Sequence, residues 1–313
     1  MIYDTIIVGS GAAGLSAAIY ASRAEMNFIV IEKIFMGTGQ IAESERVDNY
    51  PGLYGESGYD LGEKFRSHAE ALGARSIEGE VTKISPVNGI YTVSLQDGSE
   101  FETKTVIYAA GASHRKLGIK GEEELSGRGV SYCAVCDGAF YKNKTAAVIG
   151  GGDTALGDAL YLSKIAEKVY LIHRRDEFRA NKSLCRKVSE AGNIETVMNA
   201  VPTEIMGEDR VEGIRIERNG RAEALTVNGV FIAVGTVPGS EPLKGVVDTD
   251  NSGYIIAGED CVTSEKGIFA AGDVRTKPLR QVVTAAADGA NSVYSAEKYI
   301  SENGGVFREN RKN

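Results

Sequence analysis

A strand–helix–strand run with a glycine turn at residue 9, and the same run restarting at residue 150, predict an α/β protein built of two Rossmann-like domains. Between the runs the pattern switches to short alternating strands. That interruption predicts a three-layer ββα architecture with the second domain inserted in the first.

The elements follow in chain order. Residues 2–8 (IYDTIIV) read as a short buried strand, 14–25 as a small-residue helix and 27–32 (NFIVIE) as a second strand. Residues 77–108 alternate like antiparallel strands, a meander added to the first unit. In the second unit 145–149 (TAAVI) is a strand, 155–166 a helix and 168–173 (KVYLIH) a strand, with a parallel insert at 203–217 and 221–234. Residues 267–274 (GIFAAGDV) form a strand ending in Gly-Asp, and a helix runs from about Val282 to Ile300. The segments GASHRKLGIKG and VPGSEPLKG are polar and rich in Gly and Pro, so they read as linkers. They divide the chain into a first domain of 1–115 plus 246–313 and a second of 116–245. The tail 308–313 (RENRKN) reads as frayed.

Composition narrows the function. Of 313 residues 42% are apolar and 25% charged, which permits a real core and excludes disorder, collagen and a disulfide scaffold. A net charge of -8 argues against nucleic acid or an anionic membrane as general partner. The 38 glycines exceed the usual ~7% and imply many turns or close backbone approaches to a ligand. No targeting signal is visible and no run reaches the ~18 apolar residues of a membrane span, so a cytoplasmic location is expected.

Three motifs carry chemistry. Gly9-Ser10-Gly11-Ala12-Ala13-Gly14 follows a strand and opens a helix. Gly9 permits the turn, Gly11 lets backbone approach a pyrophosphate, and Gly14 allows close helix–strand packing. The helix start supplies N–H groups and positive potential for phosphate. Glu32 ends the next strand, 23 residues after Gly9. An acid there accepts from ribose hydroxyls and repels a 2′-phosphate, so this site reads as FAD or NAD. The second motif is Gly150-Gly151-Gly152-Asp153-Thr154-Ala155, and its strand ends at His173, again 23 residues on. The acid is replaced by His173-Arg174-Arg175, with Arg179 expected one helical turn later. Guanidinium forks match phosphate oxygens, so this site reads as NADP.

The third motif is Cys133-Ala134-Val135-Cys136-Asp137. Such a pair is a redox dithiol or half a zinc site. Zinc needs four ligands, whereas Cys185 and Cys261 are isolated and His68, His114 and His173 lack ligand spacing. The redox reading follows, with no metal, and Asp137 is the adjacent candidate acid/base. A weaker fourth element is Gly272-Asp273 at a strand end, then Arg280-Gln281-Val282 entering a helix. It suits a ribityl hydroxyl and a reduced flavin ring.

In this order the four elements resemble bacterial-type low-molecular-weight thioredoxin reductases over nearly the whole chain. The most specific segments are CAVCD, HRRDEFRA and GIFAAGDV…RQVVTAAADG. GTGQIAESERVDNYPG (37–52) is similar to the family's flavin-contacting loop, pointing to Gln40 and Asn49. The resemblance implies adenine near Val81, flavin contacts at Gly111 and a nucleotide contact at Gly235. It implies a homodimeric FAD enzyme that takes hydride from NADPH and reduces the disulfide of thioredoxin. Cys136 would face the flavin, Cys133 would attack thioredoxin, and Asp137 would donate the proton. It also implies a rotation of the NADPH domain on its two linkers between half-reactions. Departures from the family pattern are Gly157-Asp158, where a Glu-Glu pair is usual, Gly239, and Ala109-Ala110-Gly111. The competing readings keep the chemistry but change the donor to ferredoxin or a flavoprotein, or change the partner to a peroxiredoxin or a glutaredoxin-like protein. A further alternative is a redox sensor that does not turn over.

Overall fold

The computed structural model describes residues 1–34, 36–44 and 46–304; the tail 308–313, expected to fray, lies outside them. The chain starts with β1 (Ile2–Val8), α1 (Ala12–Arg23) and β2 (Phe28–Glu32). Next come α2 (Gly58–Ala71), β3 (Ser76–Glu78), β4 (Val81–Val87), β5 (Ile90–Leu95), β6 (Glu100–Tyr108) and β7 (Ala112–His114). They are followed by β8 (Val130–Ser131), α3 (Ala134–Asp137), β9 (Thr145–Ile149), α4 (Asp153–Leu162) and β10 (Lys168–His173). Then come α5 (Lys182–Glu190), β11 (Ile194–Met198), β12 (Ala200–Met206), β13 (Gly213–Arg218), β14 (Arg221–Thr226), β15 (Gly229–Ile232) and β16 (Thr236–Pro238). β17 (Ile268–Ala270) and α6 (Val282–Glu302) close the order.

Two compact units result: residues 1–113 with the chain from 237 onward, and residues 114–236. The return crossing therefore falls at 236/237 rather than at the expected 245/246. The reason is packing. The Tyr108 hydroxyl donates to Gly239 O at 2.6 Å, and Leu243 is buried with Ile255 and Ile268 in the first unit's core. The crossing strands β7 and β16 pair with each other.

In the first unit the sheet order is β3-β2-β1-β6-β5-β4, with β17 also on β6. The β1, β2, β3 and β17 pairings are parallel, and β4-β5-β6 is an antiparallel meander. Strand alternation sorts β1 between two cores: Ile6 and Val8 pack with Val93 and Val106, while Ile7 packs with Ala17 and Ala18 of α1. α1 is alanine-rich because α6 lies on it. A Cβ on Gly289 would sit 2.2 Å from Ala13 O, and the Ser16 hydroxyl donates to Ala286 O at 2.7 Å.

The second unit holds a parallel sheet, β11-β10-β9-β15-β8. Its insert is not parallel as expected. β12, β13 and β14 pair antiparallel; between β13 and β14, Asn219 and Gly220 (φ +51° and +74°) make the left-handed two-residue turn that a hairpin needs. Only β15 returns to the main sheet. Among the described residues, no helix is long and apolar enough to cross a membrane.

Candidate active site

In the first unit the glycine turn is closed by atoms that leave no room for side chains. A Cβ on Gly9 (φ +99°) would meet Ala109 O at 2.5 Å, and one on Gly14 would meet Gly9 O at 1.8 Å. Gly11 is the N-cap of α1. No side chain caps that end and no acid stands in its first turn, so its N–H groups face outward uncompensated. Glu32 reaches back to the turn. Its Oε2 accepts from the Ser10 N–H at 2.6 Å and the Ser10 hydroxyl at 2.7 Å, and its Oε1 accepts from the Ile34 N–H at 3.1 Å. The 37–52 loop crosses the same place, since a Cβ on Gly39 would lie 2.9 Å from Gly11 Cα; the neighbouring Gln40 is exposed.

The distant Gly-Asp element arrives there too. Gly272 (φ +76°) packs so closely on Ala13 that a Cβ would come within 2.9 Å of the Ala13 Cβ. Asp273 Oδ1 is buried and has no hydrogen-bond partner among the described residues. Burial raises its pKa, opposed by Lys277 and Arg280. The Arg280 guanidinium lies 4.2 Å over the Tyr254 ring. Asn49 Nδ2 donates to Gln281 Oε1 at 2.8 Å, so the loop and the start of α6 at Val282 meet. Val81 sits in the core opposite Leu95, and Gly111 (φ +66°) follows β6 in open space.

Sequence reasoning missed the group that holds this corner together. Asp288 on α6 accepts from Gly272 N–H at 2.8 Å, from Arg275 Nη2 at 2.7 Å and from Lys277 Nζ at 2.8 Å. All three charged side chains are only 3% exposed. No motif announces this triad; it exists only once α6 has folded back onto α1.

In the second unit Gly150 (φ +153°) abuts Ala233 O, at 2.4 Å from an ideal Cβ, and Gly151 lies against the His173 ring. Gly152 caps α4 in extended backbone with open space around it and no side-chain cap. Asp153 accepts from the Asn181 N–H at 2.7 Å, and the Arg179 N–H donates to Gly151 O at 2.8 Å. Residues 174–181 therefore form a loop folded over the turn. Arg179 stands on this loop rather than one helical turn along, because α5 starts only at Lys182. Arg174 and Arg179 are exposed, Arg175 is half-buried, and among the described residues none of the three makes an ion pair. His173 is buried, with Nε2 3.1 Å from Glu177 O; desolvation lowers its pKa, helped by Arg175 and Arg174. Positive charge here comes from the arginines, with Thr154 exposed beside them and Gly235 (φ +103°) ending the segment after β15. On α4, burial pushes Asp158 up to about 6.

Cys133 and Cys136 form a disulfide across the single turn of α3. The Cys136 N–H points at Cys133 Sγ, 3.2 Å away. Such a donor stabilises a thiolate at Cys133 once the bond is reduced. Cys185 and Cys261 are free, and Cys261 is buried. Two further residues surround the pair that motif reading did not single out. The Ser131 hydroxyl donates to Asp137 Oδ2 at 2.6 Å and accepts from the Cys133 N–H at 3.1 Å. Buried Glu122 accepts from the N–H groups of Leu117 (2.9 Å) and Gly118 (2.7 Å) and from the Tyr132 hydroxyl (2.8 Å). It ties the linker to the residue preceding the redox pair.

Comparison with known proteins agrees with this geometry. The model of the pyridine nucleotide-disulphide oxidoreductase family matches residues 3–289. A thioredoxin reductase from Listeria monocytogenes is 43% identical over 305 residues, covering 96% of this chain and 95% of that protein. One from Bacillus subtilis is 41% identical, covering 96% of each. The crystal structure of thioredoxin reductase from Streptococcus pyogenes superposes with a TM-score of 0.91 at 40% identity, covering 96% of this chain and 99% of that one.

Proposed function

The chain belongs to the thioredoxin reductases of the pyridine nucleotide-disulphide oxidoreductase family, and from that membership we propose an NADPH-dependent thioredoxin-disulfide reductase that carries FAD. One observation carries the choice of NADPH: three arginines without ion-pair partners among the described residues flank the glycine turn of the unit that also holds the Cys133–Cys136 disulfide. A 2′-phosphate supplies the charge those guanidiniums lack. They also argue against a ferredoxin donor, which makes no use of such a cluster.

The first unit fits FAD. The uncapped start of α1 suits a pyrophosphate, Glu32 suits a ribose, and the orphaned buried Asp273 Oδ1 suits a ribityl hydroxyl. When bound, FAD accepts a hydride and passes two electrons on singly or in pairs. Gln40, Asn49, Val81, Gly111, Arg280, Gln281 and Val282 complete the proposed flavin bed. Gly150, Gly152, Asp153, Thr154, His173 and Gly235 join the arginines in holding NADPH. Cys136 receives the electrons, Cys133 attacks the thioredoxin disulfide, and Asp137 supplies a proton. A rotation about the paired crossing strands serves the two half-reactions in turn. The homodimeric state and cytoplasmic location rest on the family likeness.

The test measures NADPH-driven, thioredoxin-dependent thiol release. Wild type turns over, Cys133→Ser does not, and the purified protein shows flavin absorption. A colourless protein that does not bind FAD, or full activity in the variant, overturns the reading.

A further inference from the structure

The exchange reaction needs more than two sulfurs and an acid; the acid has to be held. Asp137 ends the short helix α3, and its N–H donates to Cys133 O at 3.1 Å. Its carboxylate is gripped by Ser131, the last residue of β8, which is 5% exposed. That hydroxyl has one proton. Its contact with Asp137 Oδ2 at 2.6 Å is far shorter than its 3.4 Å approach to Cys133 O, so the proton goes to the carboxylate. Its lone pair takes the Cys133 N–H. One buried side chain thus sets the place of the acid relative to the backbone of the attacking cysteine.

The geometry points to Ser131 as a positioning residue for disulfide exchange, acting through Asp137. The inference rests on the redox role proposed above for Cys133, Cys136 and Asp137. The Cys133 thiolate attacks one sulfur of the partner disulfide. The partner's S–S bond breaks, and its second sulfur leaves with the bonding pair and takes up one proton, the one that the Cys133 thiol passed to the Asp137 carboxylate as it ionised. Cys136 then attacks the mixed disulfide at Cys133, closes the 133–136 bond and gives up its own proton, which goes to the released partner sulfur. Two electrons leave the pair and enter the partner. The acid matters when the leaving thiol is basic and is idle when it is not. Ser131 holds Asp137 where the first leaving sulfur collects its proton.

That leaving-group dependence is the test. Proteins are compared in a Cys185→Ser background, so that the half-buried free thiol does not react. Each is reduced with dithiothreitol, desalted without oxygen and mixed with one of two probes. Oxidised glutathione has a basic alkyl leaving thiol. The disulfide of 5-thio-2-nitrobenzoate has an acidic aromatic one. Ser131→Ala is expected to react about tenfold more slowly with oxidised glutathione and within about twofold of the parent with the aromatic probe. Ser131→Thr keeps a hydroxyl and recovers most of the alkyl rate. Ser131→Ala combined with Asp137→Asn is no slower than Asp137→Asn alone. Equal slowing with both probes shows a structural role and overturns the inference. So does an unchanged alkyl rate in Ser131→Ala, or losses that multiply in the double variant. A protein inactive with NADPH and thioredoxin sinks the proposed function, while this comparison of probes still decides the role of Ser131.

Discussion

The two glycine turns of this chain are built on one plan and end in opposite electrostatics. Gly9 and Gly150 both approach a carbonyl of the neighbouring strand segment, Ala109 O in one unit and Ala233 O in the other. After that they diverge. At the third motif position the first unit has Gly14, pressed on Gly9 O, whereas the second has Ala155, whose methyl is accommodated. At the strand end the first has Glu32, turned back to Ser10, and the second has His173, leading into three arginines. In mid-helix the first has fully buried Ala17 and the second has Asp158. The two turns therefore share a backbone geometry, while the side chains around them differ in charge.

The largest effect is expected at Gly14. Gly14→Ala gains about 1 kcal/mol of helix propensity. Its methyl meets Gly9 O at 1.8 Å, an overlap worth about 3 kcal/mol or more against the fold. Thermal unfolding and the visible spectrum should show a destabilised protein depleted in flavin; a yellow protein of wild-type stability would break the contrast with Ala155. Next comes nucleotide choice. Replacing Arg174 and Arg175 with Ala removes two charge-assisted contacts, so the Michaelis constant for NADPH should rise about 10- to 100-fold while that for NADH moves by less than about threefold. Equal changes for both nucleotides would erase the electrostatic difference between the turns.

A smaller effect sharpens the mid-helix contrast. Burial holds the folded pKa of Asp158 at about 6, above the ordinary carboxylate value of 3.8. The folded state thus binds the proton more tightly. The contribution to stability is fully present below pH 3.8 and lost as pH rises through 6. Asp158→Asn never ionises, so it should be more stable than wild type by about 1–2 kcal/mol at pH 8, with the gain fading as pH falls toward 4. A gain that stays constant with pH would point to packing rather than ionisation. The smallest effect is at Gly152, where open space and extended backbone should let Gly152→Ala keep stability within about 0.5 kcal/mol.

What the sequence made legible were features encoded by local spacing. The glycine turns, the strand-end residues Glu32 and His173 and the Cys133–Cys136 pair are fixed by neighbours a few residues away or by one βαβ span, so motif arithmetic reaches them. The 236/237 crossing was not legible, because Pro and Gly mark a loop without saying which core it joins. Leu243 and Gly239 decide that by packing on the first unit. The insert was misread even though Asn219-Gly220 advertises a hairpin, since apolar alternation alone does not set strand direction. α2 lies between motifs and carries none. Ser131, Glu122 and Asp288 escaped because an ordinary Ser, Glu or Asp acquires its role only from partners brought near by tertiary folding.

Asp288 has one more bearing. It draws Gly272, Arg275 and Lys277 together on a helix whose Gly289 rests on Ala13. The opening βαβ run is thus finished by a helix that follows it at long range in sequence. During synthesis that run waits, its small-residue helix exposed, until α6 has been made. A chain cut short ahead of Asp288 should be held by chaperones or removed by proteases, even though both glycine turns and the cysteine pair are still present.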